Sequence, residues 1–178
     1  MIAILPHILS LLQYVTILKE KKHTRLKYCL CCGKEGLWFH GHYHRKPDRE
    51  KRSDESLNPV IILRFFCRYC KKTCSQLPEC IPPRRWYLWE VQQSVISLLL
   101  SGASLRTASR LLTPSRSTCR RWWHRLKEQF LLHGDTLRTH LSELGRTFTF
   151  NGFWQACFQK ISLGKAMLLC HQTGVAIP

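Results

Sequence analysis

Acidic side chains are the scarcest feature of this sequence: 11 aspartates and glutamates stand against 28 lysines and arginines in 178 residues, a formal net charge of +17. A field that strong disfavours basic partners and favours a polyanion, nucleic acid first and anionic lipid second. No basic n-region followed by an apolar stretch and a small-residue cleavage site is present, which removes the usual reason for disulfides in a chain with 10 cysteines. A reducing, cytoplasmic setting is therefore expected, and paired cysteines read as metal ligands. No apolar run is long enough for a bilayer either. Residues 1–18 are rich in Ile and Leu, but Pro6, His7, Ser10, Gln13 and Thr16 interrupt them. The segment reads instead as a short helix or strand packed on a neighbouring module, meeting water at Lys19, Lys21 and Lys22. No internal repeat and no low-complexity tract stands out.

What is present is a set of cysteine pairs. Cys29 and Cys32 form one C-x-x-C, Cys67 and Cys70 a second, and each pair can set two thiolates on one ion through a tight turn. Gly33 follows the first pair, where a residue tolerant of positive φ lets backbone amides turn toward sulfur. Lys71 and Lys72 follow the second. An S4 set selects zinc or iron, and without a redox-cofactor pattern structural Zn2+ is the expected ion. The 34 residues between Cys32 and Cys67 exceed the usual spacer of about 15 to 20, and a charged loop at residues 45–58 supplies the excess. Residues 36–43 and 60–66 read as strands on either side of it. Cys31 and Cys74 are spare thiols easily mistaken for ligands. His40, His42 and His44 alternate, which in a regular strand places all three on one face, read as a polar sheet surface near a phosphate backbone.

Beyond residue 84 the apolar period becomes helical. One helix is expected over 86–101, with Leu88, Val91, Val95, Leu98 and Leu99 on one face and Gly102 ending it. Ser104 can cap a second, with Leu105, Ala108, Leu111 and Leu112 inward and Arg106 and Arg110 outward. After Thr113-Pro114-Ser115, with Pro114 read as the first position after a cap, a third helix opens on Arg116, Ser117 and Thr118. It turns Cys119, Trp122 and Leu126 inward and Arg116, Arg120 and Arg121 outward. Three helices with a short turn before the last suit a DNA reader, whose final helix must enter the major groove. Arginine can pair with guanine or clamp phosphate, while Ser115, Ser117 and Thr118 allow close backbone approach. Residues 84–127 hold nine lysines and arginines and one acid, too lopsided for routine solvation. Trp123, Leu126, Phe130, Leu137 and Leu144 share one heptad frame; they read as core or as a dimer seam, with Gly134-Asp135 expected to end one helix and cap the next.

The segments CLCCGK, RFFCRYCKKT and SGASLRTASRLLTPSRSTCRRWW together resemble the transposase-associated zinc-ribbon and helix-turn-helix proteins of bacterial insertion sequences, over residues 29–126. The resemblance implies zinc on Cys29, Cys32, Cys67 and Cys70, and element-terminal DNA on the helical part. It also implies a bacterial, nucleoid-associated setting and contact with a transposase or transposition complex, while the heptad stripe is what suggests a homodimer. A complete transposase needs carboxylates that hold two metals. Glu128, Asp135 and Glu143 are the only acids after the third helix begins, too closely spaced to build that centre. The expected class is α+β: an apolar segment at 1–24, a zinc ribbon at 25–80, a helix-turn-helix at 84–130 and a mostly helical, apolar tail at 131–178. The expected function is duplex-DNA binding without catalysis, with Arg106, Arg110, Ser115, Arg116, Ser117, Thr118, Arg120, Arg121, Lys71 and Lys72 toward DNA. Two other classes compete: a metal-dependent nuclease or transposase fragment built on the histidine face with Glu35 or Asp48, and a ribbon that binds RNA without sequence preference or assembles with protein.

Overall fold

The computed structural model describes residues 1–20, 26–47, 57–83 and 86–175. Among these, four strands and seven α-helices make a mixed α/β chain of two units, Met1–Leu88 and Trp89–Pro178. Arg25, Asp48, Arg84, Lys21 and Lys22, and most of the charged loop, lie outside the described residues.

In the first unit, β1 (Ile2–Leu5), β2 (Leu37–Arg45), β3 (Val60–Cys67) and β4 (Thr73–Pro78) form one sheet in the order β1-β4-β3-β2. The pairs β2–β3 and β3–β4 are antiparallel, whereas β1 lies parallel to β4. The β-branched and aromatic run of β3 is buried on alternating positions of both faces, so each face needs its own cover. On one face α1 (Leu11–Lys19) supplies it. Ser10 accepts the Gln13 N–H at 3.1 Å to start that helix. Its Tyr14 is buried with Val60, Ile62, Leu77 and Ile81, and the Tyr14 hydroxyl donates to the Ile61 carbonyl at 3.0 Å. The apolar N-terminal segment is thus a strand and a helix at once, both built onto the ribbon sheet. On the other face Leu37, Leu63 and Phe65 pack with Cys29 and Cys67, joining the sheet to the cysteine turns.

The second unit is helical: α2 (Trp89–Leu100), α3 (Leu105–Leu111), α4 (Arg116–Glu128), α5 (Phe130–His140), a 3-10 turn (Ser142–Arg146), α6 (Phe150–Lys160) and α7 (Leu163–Gln172). Gly102, at φ +93°, ends α2. Ser104, Ser115, Thr149 and Ser162 cap α3, α4, α6 and α7 through the N–H of the third residue on. Pro114 therefore precedes the cap and is not the first helical residue. The heptad frame is not one continuous seam, because the chain turns at Gln129 between α4 and α5. Leu126, Leu137 and Leu144 enter one core with Phe153, Trp154, Met167 and Trp89. Gly134 sits buried inside α5 and ends nothing; its missing side chain leaves room for the Arg138 guanidinium, whose Nη1 would lie 3.1 Å from an added Cβ. Leu111 also departs from expectation. It is 66% exposed, and Ala108 is the one fully buried residue of α3, since a seven-residue helix turns only a narrow stripe inward.

The aromatic centre of this core is edge-to-face: Phe153 and Trp154 have centroids 5.4 Å apart at 89°, and Phe130 meets Phe153 at 5.4 Å. Trp154→Ala is expected to cost about 3–5 kcal/mol, read as a lower denaturation midpoint with an unchanged slope; a cost under about 1 kcal/mol would place the core elsewhere.

Candidate metal centre and nucleic-acid interface

The two cysteine turns are built alike. In the first, the Cys29 N–H donates to the Lys34 carbonyl and the Gly33 N–H to the Cys29 carbonyl, each at 2.9 Å. In the second, the Cys67 N–H donates to the Lys72 carbonyl at 3.0 Å and the Lys71 N–H to the Cys67 carbonyl at 2.9 Å. The same left-handed residue closes both, Gly33 at φ +70° and Lys71 at φ +57°. Glycine adopts this without cost, whereas lysine is strained there, a feature no spacing rule reveals. Tyr69 joins the turns, with Lys34 Nζ 4.7 Å and Arg68 Cζ 4.9 Å from its ring centroid.

This geometry brings the sulfurs of Cys29, Cys32, Cys67 and Cys70 within 4.8 Å of one another, a group able to hold a metal ion. Across the turns, Cys29 and Cys70 approach to 3.6 Å, as do Cys32 and Cys67. The backbone N–H groups of Cys32 and Cys31 point at the Cys29 sulfur and pull its thiol down to about 6. The N–H groups of Cys70 and Tyr69 lower Cys67 in the same way, although burial opposes them. Cys32 and Cys70 go the other way: the N–H groups of Lys34 and Lys72 favour their thiolates, but burial and the neighbouring sulfurs outweigh this, and Cys70 is pushed up to about 12. Four anions this close do not ionise together unless a cation sits among them.

The spare thiols are outside the cluster. Cys74 is buried on β4, where its thiol donates to the Ser75 carbonyl at 3.9 Å, and burial raises its pKa. Cys31 is exposed beside Lys72, whose ammonium is held charged by that sulfur. Lys71 is exposed and has no such partner among the described residues.

The three histidines do not share a face. Between Phe39 and His42 the β2–β3 register slips by one residue, and this bulge inverts the alternation that the sequence suggests. His42 and His44 stand opposite Leu63 and Ile61, with their rings 5.5 Å apart, whereas the His40 ring lies 5.6 Å from Phe66, on the opposite face of β3. Among the described residues the four cysteines are the only group of three or more candidate ligands brought together.

In the second unit, α2, α3 and α4 touch pairwise. Cys119, Trp122 and Leu126 face inward, and the Cys119 thiol lies 3.6 Å from the Pro114 carbonyl. Ser115, Arg116, Ser117, Arg120 and Arg121 are exposed and Thr118 half-exposed; on α3, Arg106 and Arg110 are exposed too. Arg121 donates to the Thr118 hydroxyl at 3.3 Å, and among the described residues no acid pairs with Arg116, Arg120 or Arg121. Arg125, also exposed, extends this surface and went unnoticed in the sequence, where it sits among tryptophans.

The family model described as a domain of unknown function (DUF6431) matches residues 29–122, more than half of the chain. The chain belongs to this family. The DUF6431 match begins at Cys29, the first cysteine of the cluster, and ends at Trp122 on α4, so it takes in the whole cysteine cluster and the exposed arginines from Arg106 to Arg121. No curated protein and no solved structure gives a match. Among the described residues no helix is long and apolar enough to cross a membrane.

Native mass spectrometry tests the assignment of the four sulfurs. Cys67→Ser is expected to lose the metal and Cys31→Ser to keep one ion per chain; an ion retained by Cys67→Ser would contradict the site.

Proposed function

We propose that this DUF6431 protein binds duplex DNA and carries out no reaction of its own, with α2–α4 acting as a helix-turn-helix and the four cysteines holding a structural Zn2+. The observation that carries the reading is the outer face of α4: Arg116, Arg120 and Arg121 stand exposed on a helix opened by Ser115, with no acidic partner among the described residues. An exposed cationic helix start, preceded by a short turn, is what major-groove entry requires. The hydroxyls of Ser115, Ser117 and Thr118 lie at the same end and suit close approach to phosphate. Lys71 offers a point charge in the ribbon, while Lys72 is partly engaged by Cys31.

Zinc is favoured over other ions by the donor set and the spacing. Four sulfurs at about 2.3 Å from a tetrahedral ion lie about 3.8 Å apart, close to the 3.6 Å of the two cross-turn contacts. Four thiolates leave no open position for water or substrate, so the metal supports folding and not hydrolysis. The resemblance to insertion-sequence proteins makes a mobile-element origin, a nucleoid location and a transposition complex part of the same proposal, which also includes a homodimer.

Selection of bound duplexes from a random pool, by zinc-loaded protein at near-physiological salt, should enrich one motif. On that motif Arg120→Ala should lose about 1–3 kcal/mol of specific binding and less on random duplex. Lys71→Gly, which keeps the left-handed turn but removes the charge, should weaken both alike and reduce the salt slope by about 0.9. Equal losses on both duplexes for Arg120→Ala would remove α4 from the recognition role.

A further inference from the structure

Among the described residues, part of one face of the sheet is left uncovered, and that part is aromatic. α1 closes the face over Val60, Ile62 and Leu77. Further along the same face Trp38 of β2 lies directly across from Phe66 of β3, and Phe66 directly across from Thr73 of β4. Side chains of directly opposed residues share a face, so these three form one row across three strands. Trp38 is 55% exposed. His40, two residues on from Trp38, lies on the same row, its ring 5.6 Å from Phe66 and inclined by 33°, while the bulge sends His42 and His44 to the other face. Arg64, two residues before Phe66 and thus on the same side, donates to the Thr73 hydroxyl at 3.1 Å. That bond occupies one of the five guanidinium donors and aims the group along the row.

We infer that this row, Trp38, His40 and Phe66 with Arg64 beside them, is a platform for unpaired nucleotides: bases stack on the rings and a phosphate takes the remaining Arg64 donors. A solvent-exposed tryptophan next to a half-exposed phenylalanine is costly to leave in water and needs a flat apolar partner. Charge decides what kind. In residues 26–47 and 57–83 the only acids are Glu35 and Glu79, against eight lysines and arginines. Glu79 is buried and accepts the His7 N–H at 3.1 Å, and Glu35 is paired with Lys27 at 3.5 Å. Glu20, at the C-cap of α1, is the one further acid in the described part of this unit, so its described surface stays predominantly cationic and suits a polyanion. Flat rings on a sheet, flanked by cations, match single strands, whose bases are free to stack; in a duplex the bases are stacked on each other. The site and its ligand differ from the arginine face of α4 and do not depend on it.

The test uses the full, metal-loaded chain and fluorescence anisotropy with a twelve-residue oligothymidylate, the matching oligouridylate and a random duplex. Trp38→Ala should weaken single-strand binding about tenfold, Trp38→Phe should restore most of it, and duplex affinity should change less than twofold. Arg120→Ala should leave single-strand affinity unchanged, so failure of the duplex reading and failure of this one are separately visible. Whichever of the two oligomers binds more tightly tells DNA from RNA as the source of the strand. Photocrosslinking from a 5-bromouridine strand should label the peptide that carries residues 37–45, a readout independent of any variant. Unchanged single-strand affinity in Trp38→Ala with its metal in place, or a crosslink found only in residues 89–175, would overturn the platform. A dimer that dissociates on Trp38→Ala without loss of single-strand affinity would overturn it in favour of a second copy of the chain.

Discussion

Four thiols drawn into one small volume constrain the first unit more than any other interaction. Two turns of the same hydrogen-bond pattern aim backbone N–H groups at sulfur and so favour thiolate at Cys29 and Cys67. The closeness of all four sulfurs then resists further ionisation until a cation joins them. The sheet inherits this condition directly: Cys67 is the last residue of β3, and Cys29 packs with Leu37, Leu63 and Phe65 on the face opposite the Tyr14 cluster. In a unit of this modest size metal ligation commonly supplies folding energy outright.

The helical unit rests on a different foundation. Its core is aromatic and aliphatic, with Phe153, Trp154, Met167 and Leu163 fully buried, and needs no ion. That leaves the surface of α4 free to carry positive charge. Its inward residues Cys119, Trp122 and Leu126 fix the rotation of the helix, and the arginines follow on the outside. The serines and threonines that precede α3, α4, α6 and α7 set where each helix begins, so the exposed cations are placed by caps as much as by packing.

Local chemistry was legible in the sequence, and long-range geometry was not. The C-x-x-C pairs, the left-handed Gly33, the Ser104 cap and the inward set of α4 all depend on residues within one turn of each other. The parallel pairing of β1 with β4 joins residues at opposite ends of the first unit, and no local signal announces it. The bulge in β2 is a one-residue slip that periodicity cannot show, and it divides three histidines that alternate in sequence. Gly134 reads as a helix stop from composition, yet it lies buried in the middle of α5, whose Leu137 enters the helical core. In the apolar tail, α6 and α7 complete the core, which explains its low charge.

Hydrogen exchange before and after a strong chelator, on the full chain, tests the dependence on the metal most directly. The account predicts that protected amides of β2, β3 and β4 exchange rapidly once the ion is removed while those of α6 and α7 keep their protection. Strands that stay protected in the chelated protein would show that the sheet stands on its apolar contacts alone, and would contradict the claim that four thiolates and their cation hold this unit together.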